Sequence, residues 1–179
     1  MSRRAIRNAI QSRWSSFESS LSCVSLIRPH IIYPIRLEPG ANITIAFGHP
    51  DPDLLRPRSH VSFTAIESIR VERRESNSSH YISSIHRYSY RISFEDGIGE
   101  ALAFHWEETT DDGGVTYPHL HLGRWFHPRS SLTEIQDIHK LHIPTSAVSL
   151  AMIIRFLIEE LGVEPLRTKW DEILANVLD

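Results

Sequence analysis

Three histidines in the second half of the chain are spaced so that they can act on one surface. His119 and His121 are two residues apart, and His105 lies in the preceding stretch of alternating polarity. Side chains two residues apart on a strand share one face of a sheet. Imidazole groups accept and donate protons near neutral pH, as general acid–base catalysis requires. We therefore predict that His119, His121 and His105 are catalytic residues.

Three arginines occupy the same polar side of the neighbouring predicted strands, namely Arg70, Arg87 and Arg91. The planar guanidinium group donates several hydrogen bonds and matches the oxygens of a phosphate. We predict that these three side chains bind the phosphates of a nucleic acid. The alternative interpretation is a set of solvated surface residues, because alternation places polar side chains outside in any half-buried sheet.

Metal binding is a competing role for the same histidines. A three-histidine site with an open coordination position suits catalytic zinc or iron. A His-x-His pair is a weak signal by itself, and no acidic residue lies close to it on the same strand. The sequence therefore favours a site without a metal or other cofactor, and we expect no tightly bound transition metal at His105, His119 and His121.

A period of two from Val61 onward predicts an antiparallel meander of about four strands, within residues 61–126. Turns are expected at Asp96-Gly97, a strong hairpin signal, and at residues 111–114. One parity of these strands is apolar and is expected to pack beneath a helix over residues 148–161. Its members are Ile82, Tyr90, Ile92, Leu102, Phe104, Leu120 and Leu122. The opposite parity, with the histidines and arginines, is then exposed.

Helical periodicity brackets this meander. An amphipathic helix is predicted over residues 3–21, a short one over 131–139, one over 148–161 that Gly162 ends, and a last one that begins at Pro165. Between the first helix and the meander, residues 24–27, 31–37 and 42–47 look extended and 49–58 look like a loop. We predict an α+β fold in a single domain, with helices packed on one face of an antiparallel sheet. Its parts are an N-terminal helix with an irregular or extended segment (1–60), the meander (61–126) and a helical tail (131–179).

Charge is divided unequally along the chain. Residues 1–91 contain 13 arginines and 7 acidic residues, whereas residues 92–179 contain 6 basic and 15 acidic residues. An arginine-rich half favours a nucleic-acid or acidic partner. Pairing of the two halves across the folded surface is the alternative explanation. The arginine- and serine-rich stretch at 3–21 also has the composition of a mitochondrial targeting segment, but no cleavage-like break follows it and a packed first helix is the favoured explanation.

The single cysteine and the longest apolar run limit the class of protein. Cys23 alone can form neither an internal disulfide nor a cysteine cluster for zinc, which fits a reducing compartment. We expect it to be a buried, inert thiol. The apolar run 150–158 is short and contains Arg155, so no membrane span is predicted. The expected location is the cytoplasm, with no membrane partner.

Several features of residues 88–163 occur together: the Tyr88–Arg91 stretch, the Asp96-Gly97 hairpin, Trp106, the strand over 116–123, and His142-Ile-Pro-Thr145 leading into a helix with Glu159-Glu160-Leu-Gly162. In this pattern the segment resembles the small TumE-type toxins of bacterial toxin–antitoxin pairs. It covers under half of the chain. The resemblance implies a compact antiparallel sheet flanked by helices, a toxic activity directed at RNA, and an antitoxin partner.

The leading hypothesis is a toxin-like or defence-associated protein directed at nucleic acid, as a ribonuclease that needs no metal ion. In such a reaction the ribose 2′-hydroxyl is the nucleophile, so the protein supplies only proton transfer and cations for the phosphate. The alternative is a non-enzymatic module that docks an antitoxin or another protein. A small enzyme with a histidine-bound metal is the third hypothesis.

Overall fold

The α+β fold is confirmed in the computed structural model of the chain. The structure describes residues 3–34, 37–48, 53–54, 61–74, 80–94, 100–109, 114–123 and 141–178. Its elements are, in order, α1 (Arg3–Leu21), β1 (His30–Ile32), β2 (Asn42–Phe47), β3 (Asp53–Leu54), β4 (Val61–Arg73), β5 (Tyr81–Phe94), β6 (Glu100–Glu107), β7 (His119–Leu122), β8 (Ile143–Pro144), α2 (Leu150–Glu159) and α3 (Trp170–Leu178).

One antiparallel sheet contains all eight strands, in the order β1-β2-β4-β5-β6-β7-β8, and β3 also pairs with β4. The predicted meander corresponds to β4 through β7, whose consecutive strands pair antiparallel. The predicted turns at 96–97 and 111–113 and the predicted helix at 131–139 lie outside the described residues. The long β4–β5 hairpin is the centre of the sheet, and β7 and β8 lie at the edge opposite β1.

The helices pack on one face of the sheet, as predicted, and we call this face the helix face. Ile6, Ile10, Phe17 and Leu21 from α1 join a single buried cluster with residues of α2, α3 and the sheet. The sheet contributes alternate residues, among them Ile43, Phe63, Ala65, Tyr90, Ile92 and Leu102. Phe104 also lies on this face, although it is only partly buried. In the described part of the chain, no helix has the length and apolar character needed to cross a membrane.

A buried ion pair joins α1 to the sheet. Arg13 donates from Nε and Nη2 to the two carboxylate oxygens of Glu67, at 2.8 and 2.6 Å, and the Tyr90 hydroxyl donates to Glu67 Oε1 at 2.6 Å. Glu67 is fully buried. A buried carboxylate is tolerable because hydrogen bonds and an opposite charge satisfy it. The contact therefore fixes where α1 sits on β4 and β5.

A bulge in β5 makes one part of the sequence prediction wrong. Ser68 is opposite Arg87 but Ile69 is opposite Ile85, so His86 is an extra residue and the alternation shifts. Ile82 consequently lies on the side opposite Tyr90 and is 47% exposed. Ile85 takes the place on the helix face that the unbroken alternation assigned to Ile82. A bulge of this kind reverses which parity faces the core.

The boundaries of several other elements differ from the sequence prediction. Residues 24–27 lie in turns and bends rather than in a strand. In the described part of the predicted strand 31–37, the ladder includes Ile31 and Ile32, and β1 begins one residue earlier, at His30. A two-residue strand, β3, lies inside the predicted loop 49–58. In α2, Ser149 is the N-cap, and Gly162 follows the helix with a φ of 68°, as expected of a helix end. Met152 of this helix is exposed. The last helix begins at Trp170 rather than at Pro165.

Candidate functional site: a histidine cluster at the sheet edge

The sheet register brings the three predicted histidines together on the face opposite the helices, which we call the histidine face. His105 on β6 is directly opposite His119 on β7, and the next pair on the same face is Ala103 with His121. The ring centroid of His105 lies 5.9 Å from that of His119 and 5.2 Å from that of His121. The juxtaposition that the alternation predicted is therefore present.

A fourth histidine, His142, joins the cluster, and sequence reasoning did not include it in the site. The edge strand β8 pairs with β7 so that Pro144 lies opposite His119 and Ile143 opposite Leu120. His142 comes next, and its ring centroid lies 4.4 Å from that of His121 and 4.8 Å from that of His119. The strand that positions His142 is the dipeptide Ile143-Pro144, and two residues are too few to show the alternation by which a strand is predicted.

His119, His121 and His142 form the tightest part of the cluster. One ring nitrogen from each lies within 4.8 Å of the others, which makes them a candidate metal-ligand set among the described residues. Their exposure is graded: His119 is buried, His121 is half-buried and His142 is exposed. The three nitrogens therefore converge at a place that solvent reaches from the side of His142.

The backbone fixes the orientation of the buried member. His119 Nδ1 lies 2.8 Å from the carbonyl oxygen of Tyr117. A carbonyl can only accept, so Nδ1 carries the proton and the lone pair is on Nε2. In its neutral form, His119 thus presents Nε2 to a substrate proton or a metal ion.

His105 differs from the other three in its electrostatics. Burial, reinforced by the positive charges of His121 and Arg91, lowers the pKa of His105 to about 3. The ring is therefore neutral at pH 7, where it has one N–H donor and one acceptor nitrogen. The lone pair of the His105 ring is therefore available as a hydrogen-bond acceptor.

Two of the predicted arginines lie on the histidine face beside the cluster. On β5 they flank Ser89, which is opposite His105, at two residues on either side. Arg87 is 3.7 Å from Glu107 and Arg91 is 3.5 Å from Glu100, and the arginine side chains are 55% and 58% exposed. Exposed pairs of this kind contribute little to stability, so the guanidinium groups can turn to another anion.

Arg70 lies apart from the histidines, although it is on the same face. It is four residues along β4 from the row of His105 and two strands away, about 16 Å between Cα atoms for standard strand spacings. Its guanidinium group contacts Asn42 at 3.4 Å and Glu108 at 3.3 Å. The structure therefore groups Arg87 and Arg91, but not Arg70, with the histidine cluster.

Two buried hydroxyl groups next to the cluster make no hydrogen bond within the described part of the chain. Ser89 is 8% exposed and lies opposite His105, and Thr145 follows Pro144, the residue opposite His119. Buried polar groups in folded proteins nearly always have a partner. The two hydroxyls thus provide unused hydrogen-bonding capacity beside the imidazoles.

Cys23, the single cysteine, lies away from the histidine cluster. Cys23 is fully buried beyond the end of α1, as predicted, and burial raises the pKa of its thiol. A thiol with a raised pKa is a poor nucleophile.

Comparisons of the chain with protein-family models, with curated proteins and with solved structures found no match.

Proposed function

We propose that the histidine face is a catalytic site for a phosphodiester, with RNA as the substrate class, in a cytoplasmic, toxin-like or defence-associated protein. The observation that supports this most is the position of Arg87 and Arg91 beside His105, one of four clustered imidazoles, on the face of the sheet opposite the helices. Cations hold the phosphate in such a site, and imidazole nitrogens activate the attacking hydroxyl, either directly or through a bound ion.

The chemistry needs little beyond these groups. In RNA the 2′-hydroxyl attacks the adjacent phosphorus, its proton passes to a base and the 5′-oxygen leaves with a proton. The Nδ1 contact of His119 leaves Nε2 of the neutral ring as the acceptor and fixes its direction, which suits it to the first of these proton transfers. Positive charge on the phosphate stabilises the developing negative charge in the transition state.

The acidic partners of the arginines set the expected strength of binding. Glu107 and Glu100 offset the charge of Arg87 and Arg91 in the free protein. Because both pairs are exposed, exchange of a carboxylate for a phosphate costs little. With two phosphate contacts, affinity should be modest and should fall with salt, with a slope of about −0.7 for each contact on a single strand.

A short single-stranded RNA tests the proposal in binding and cleavage assays over a range of salt. We expect His121→Ala to lower the cleavage rate by about 10²–10⁴-fold with binding retained. The double variant Arg87→Ala/Arg91→Ala should weaken binding first and flatten the salt slope. Arg28→Ala is the matched control, because Arg28 is an exposed, ion-paired arginine near the opposite sheet edge. Wild-type protein that neither binds nor cleaves RNA at low salt contradicts the proposal.

A non-enzymatic docking role is the second candidate, and exposed apolar side chains near β1 favour it. Leu26, Ile27, Ile32 and Tyr33 are 86%, 52%, 51% and 57% exposed. They surround β1, which pairs with β2 on one side and with no strand on its other side in the described part of the chain. Exposed apolar residues at a sheet edge are typical of protein-binding surfaces. An antitoxin or other protein bound there should be lost with Leu26→Glu/Ile32→Lys and retained with His121→Ala in a co-purification assay.

A further inference from the structure

We infer that His119, His121 and His142 bind one divalent transition-metal ion, with zinc as the best-fitting class. The inference rests on the proposed function, because it concerns the same cluster. With an ion bound, His119 Nε2 would hold the metal and would no longer serve as the base. It departs from the sequence-based expectation of no metal, since the third ligand is His142 on the edge segment rather than His105 on β6.

The distances within the set suit a metal after small side-chain adjustments. Zinc–nitrogen bonds of about 2.0–2.1 Å at tetrahedral angles place the ligand nitrogens about 3.4 Å apart. The three nitrogens already lie within 4.8 Å of one another. Rotation of the exposed His142 ring, whose side chain is the least enclosed, can bring them closer. No movement of the strands is needed.

The donor set selects the class of ion. All three ligands are imidazoles, which suit zinc, copper, nickel and iron, whereas magnesium and calcium prefer oxygen. Three protein ligands leave a coordination position for water or substrate, which is the pattern of catalytic rather than structural zinc sites.

The surroundings of His119 independently support a ligand role. A metal-bound histidine commonly donates its second ring N–H to a carbonyl or carboxylate, which fixes the ring and its tautomer. His119 makes this contact to the Tyr117 carbonyl.

His105 lies outside the ligand set. Its ring centroid is 5.2 Å or more from those of His119 and His121, further than any distance within the set of three.

The experiment measures metal binding by untagged, chelator-treated full-length protein in the absence of RNA. Titration with zinc followed by calorimetry, with elemental analysis after desalting, should give one equivalent per chain, and zinc should raise the melting temperature. Magnesium should not bind. Cobalt in place of zinc should give the visible absorption of a low-coordinate site, which is lost on addition of zinc.

Variants show which residues are responsible. His142→Ala and His121→Ala should each weaken zinc binding by more than about 100-fold. His142 is exposed, so its variant should fold as the wild type does, which circular dichroism and the metal-free melting temperature will establish. His30→Ala is the matched control. His30 is in the same row of the same sheet face, four strands and about 19 Å from His105, and its loss should leave zinc affinity unchanged.

The possible outcomes separate this inference from the proposed function. Less than one-tenth of an equivalent of zinc, or zinc binding that survives His142→Ala, overturns the inference. RNA cleavage by chelator-treated protein that also fails to bind zinc overturns the inference and leaves the proposed function standing. One tightly bound zinc that depends on His121 and His142 supports it, even where no RNA is cleaved, and that last result contradicts only the choice of substrate.

Discussion

The ring of His142 lies 4.4 Å from the ring of His121, although the two residues belong to different segments that meet at the edge of the sheet. Their approach depends on the short pairing of β8 with β7, which comprises two residue pairs. The β8 side of the cluster is therefore the less firmly held one. A ligand that bridges His121 and His142 should stabilise this edge more than any other part of the sheet.

The ion pair between Arg13 and Glu67 provides the first prediction, on stability. Arg13→Ala should lower the free energy of unfolding by about 3 kcal/mol, because it leaves the fully buried Glu67 carboxylate without its cation. Urea denaturation followed by circular dichroism measures the change. Arg7→Ala, at an exposed position of the same helix, should change stability by less than about 0.5 kcal/mol. Equal effects of the two variants would show that the ion pair does not hold α1 in place.

The β5 bulge at His86 provides the second prediction. Ile85→Ala should destabilise the protein by about 2 kcal/mol, because Ile85 packs against the core on the helix face. Ile82→Ala should have an effect within about 0.5 kcal/mol, since its side chain is largely in solvent. The same denaturation assay compares the two. The opposite ranking would mean that β5 continues its alternation without an extra residue.

Two glycines provide the third prediction. A Cβ atom at Gly123 would overlap the backbone carbonyl of Glu100, so Gly123→Ala should destabilise by about 3 kcal/mol and disturb the pairing of β6 with β7. Gly162→Ala meets no atom within 4 Å, and its cost should be only the left-handed backbone penalty of about 1–2 kcal/mol. Melting temperatures rank the two variants. A tolerated Gly123→Ala would contradict the close strand approach.

The thiol of Cys23 provides the fourth prediction. Burial raises its pKa, so at any given pH a smaller fraction is thiolate than for a free cysteine. Iodoacetamide at pH 8 should therefore modify the native protein much more slowly than the urea-unfolded protein, as measured by mass spectrometry. Raising the pH should speed the native reaction only above the range where a free thiol has already ionised. Equal native and unfolded rates would place Cys23 at the surface.

Periodicity alone was sufficient to predict the fold class, the meander and the face that carries His105, His119 and His121. Alternation extends over many residues in β4 and β6, and each additional residue reinforces the same assignment. The bulge at His86 was not predictable, because one inserted residue leaves both halves of β5 alternating normally. His142 was missed for a different reason: β8 has two residues, and its position is fixed by pairing with β7 rather than by any pattern of its own.

The hydrogen bond that orients His119 comes from a main-chain carbonyl, and this has a consequence for how the site tolerates mutation. Every amino acid at position 117 supplies the same oxygen, so the exposed Tyr117 side chain can be replaced without loss of the contact. The residue after it is Pro118, and a proline restricts the residue before it to extended conformations. The ring of Pro118 therefore governs the direction of that oxygen, although it makes no contribution of its own to the chemistry. Substitution of Tyr117 should leave the hydrogen bond to His119 intact. Replacement of Pro118 should weaken it, because the Tyr117 carbonyl oxygen would no longer be held in one direction.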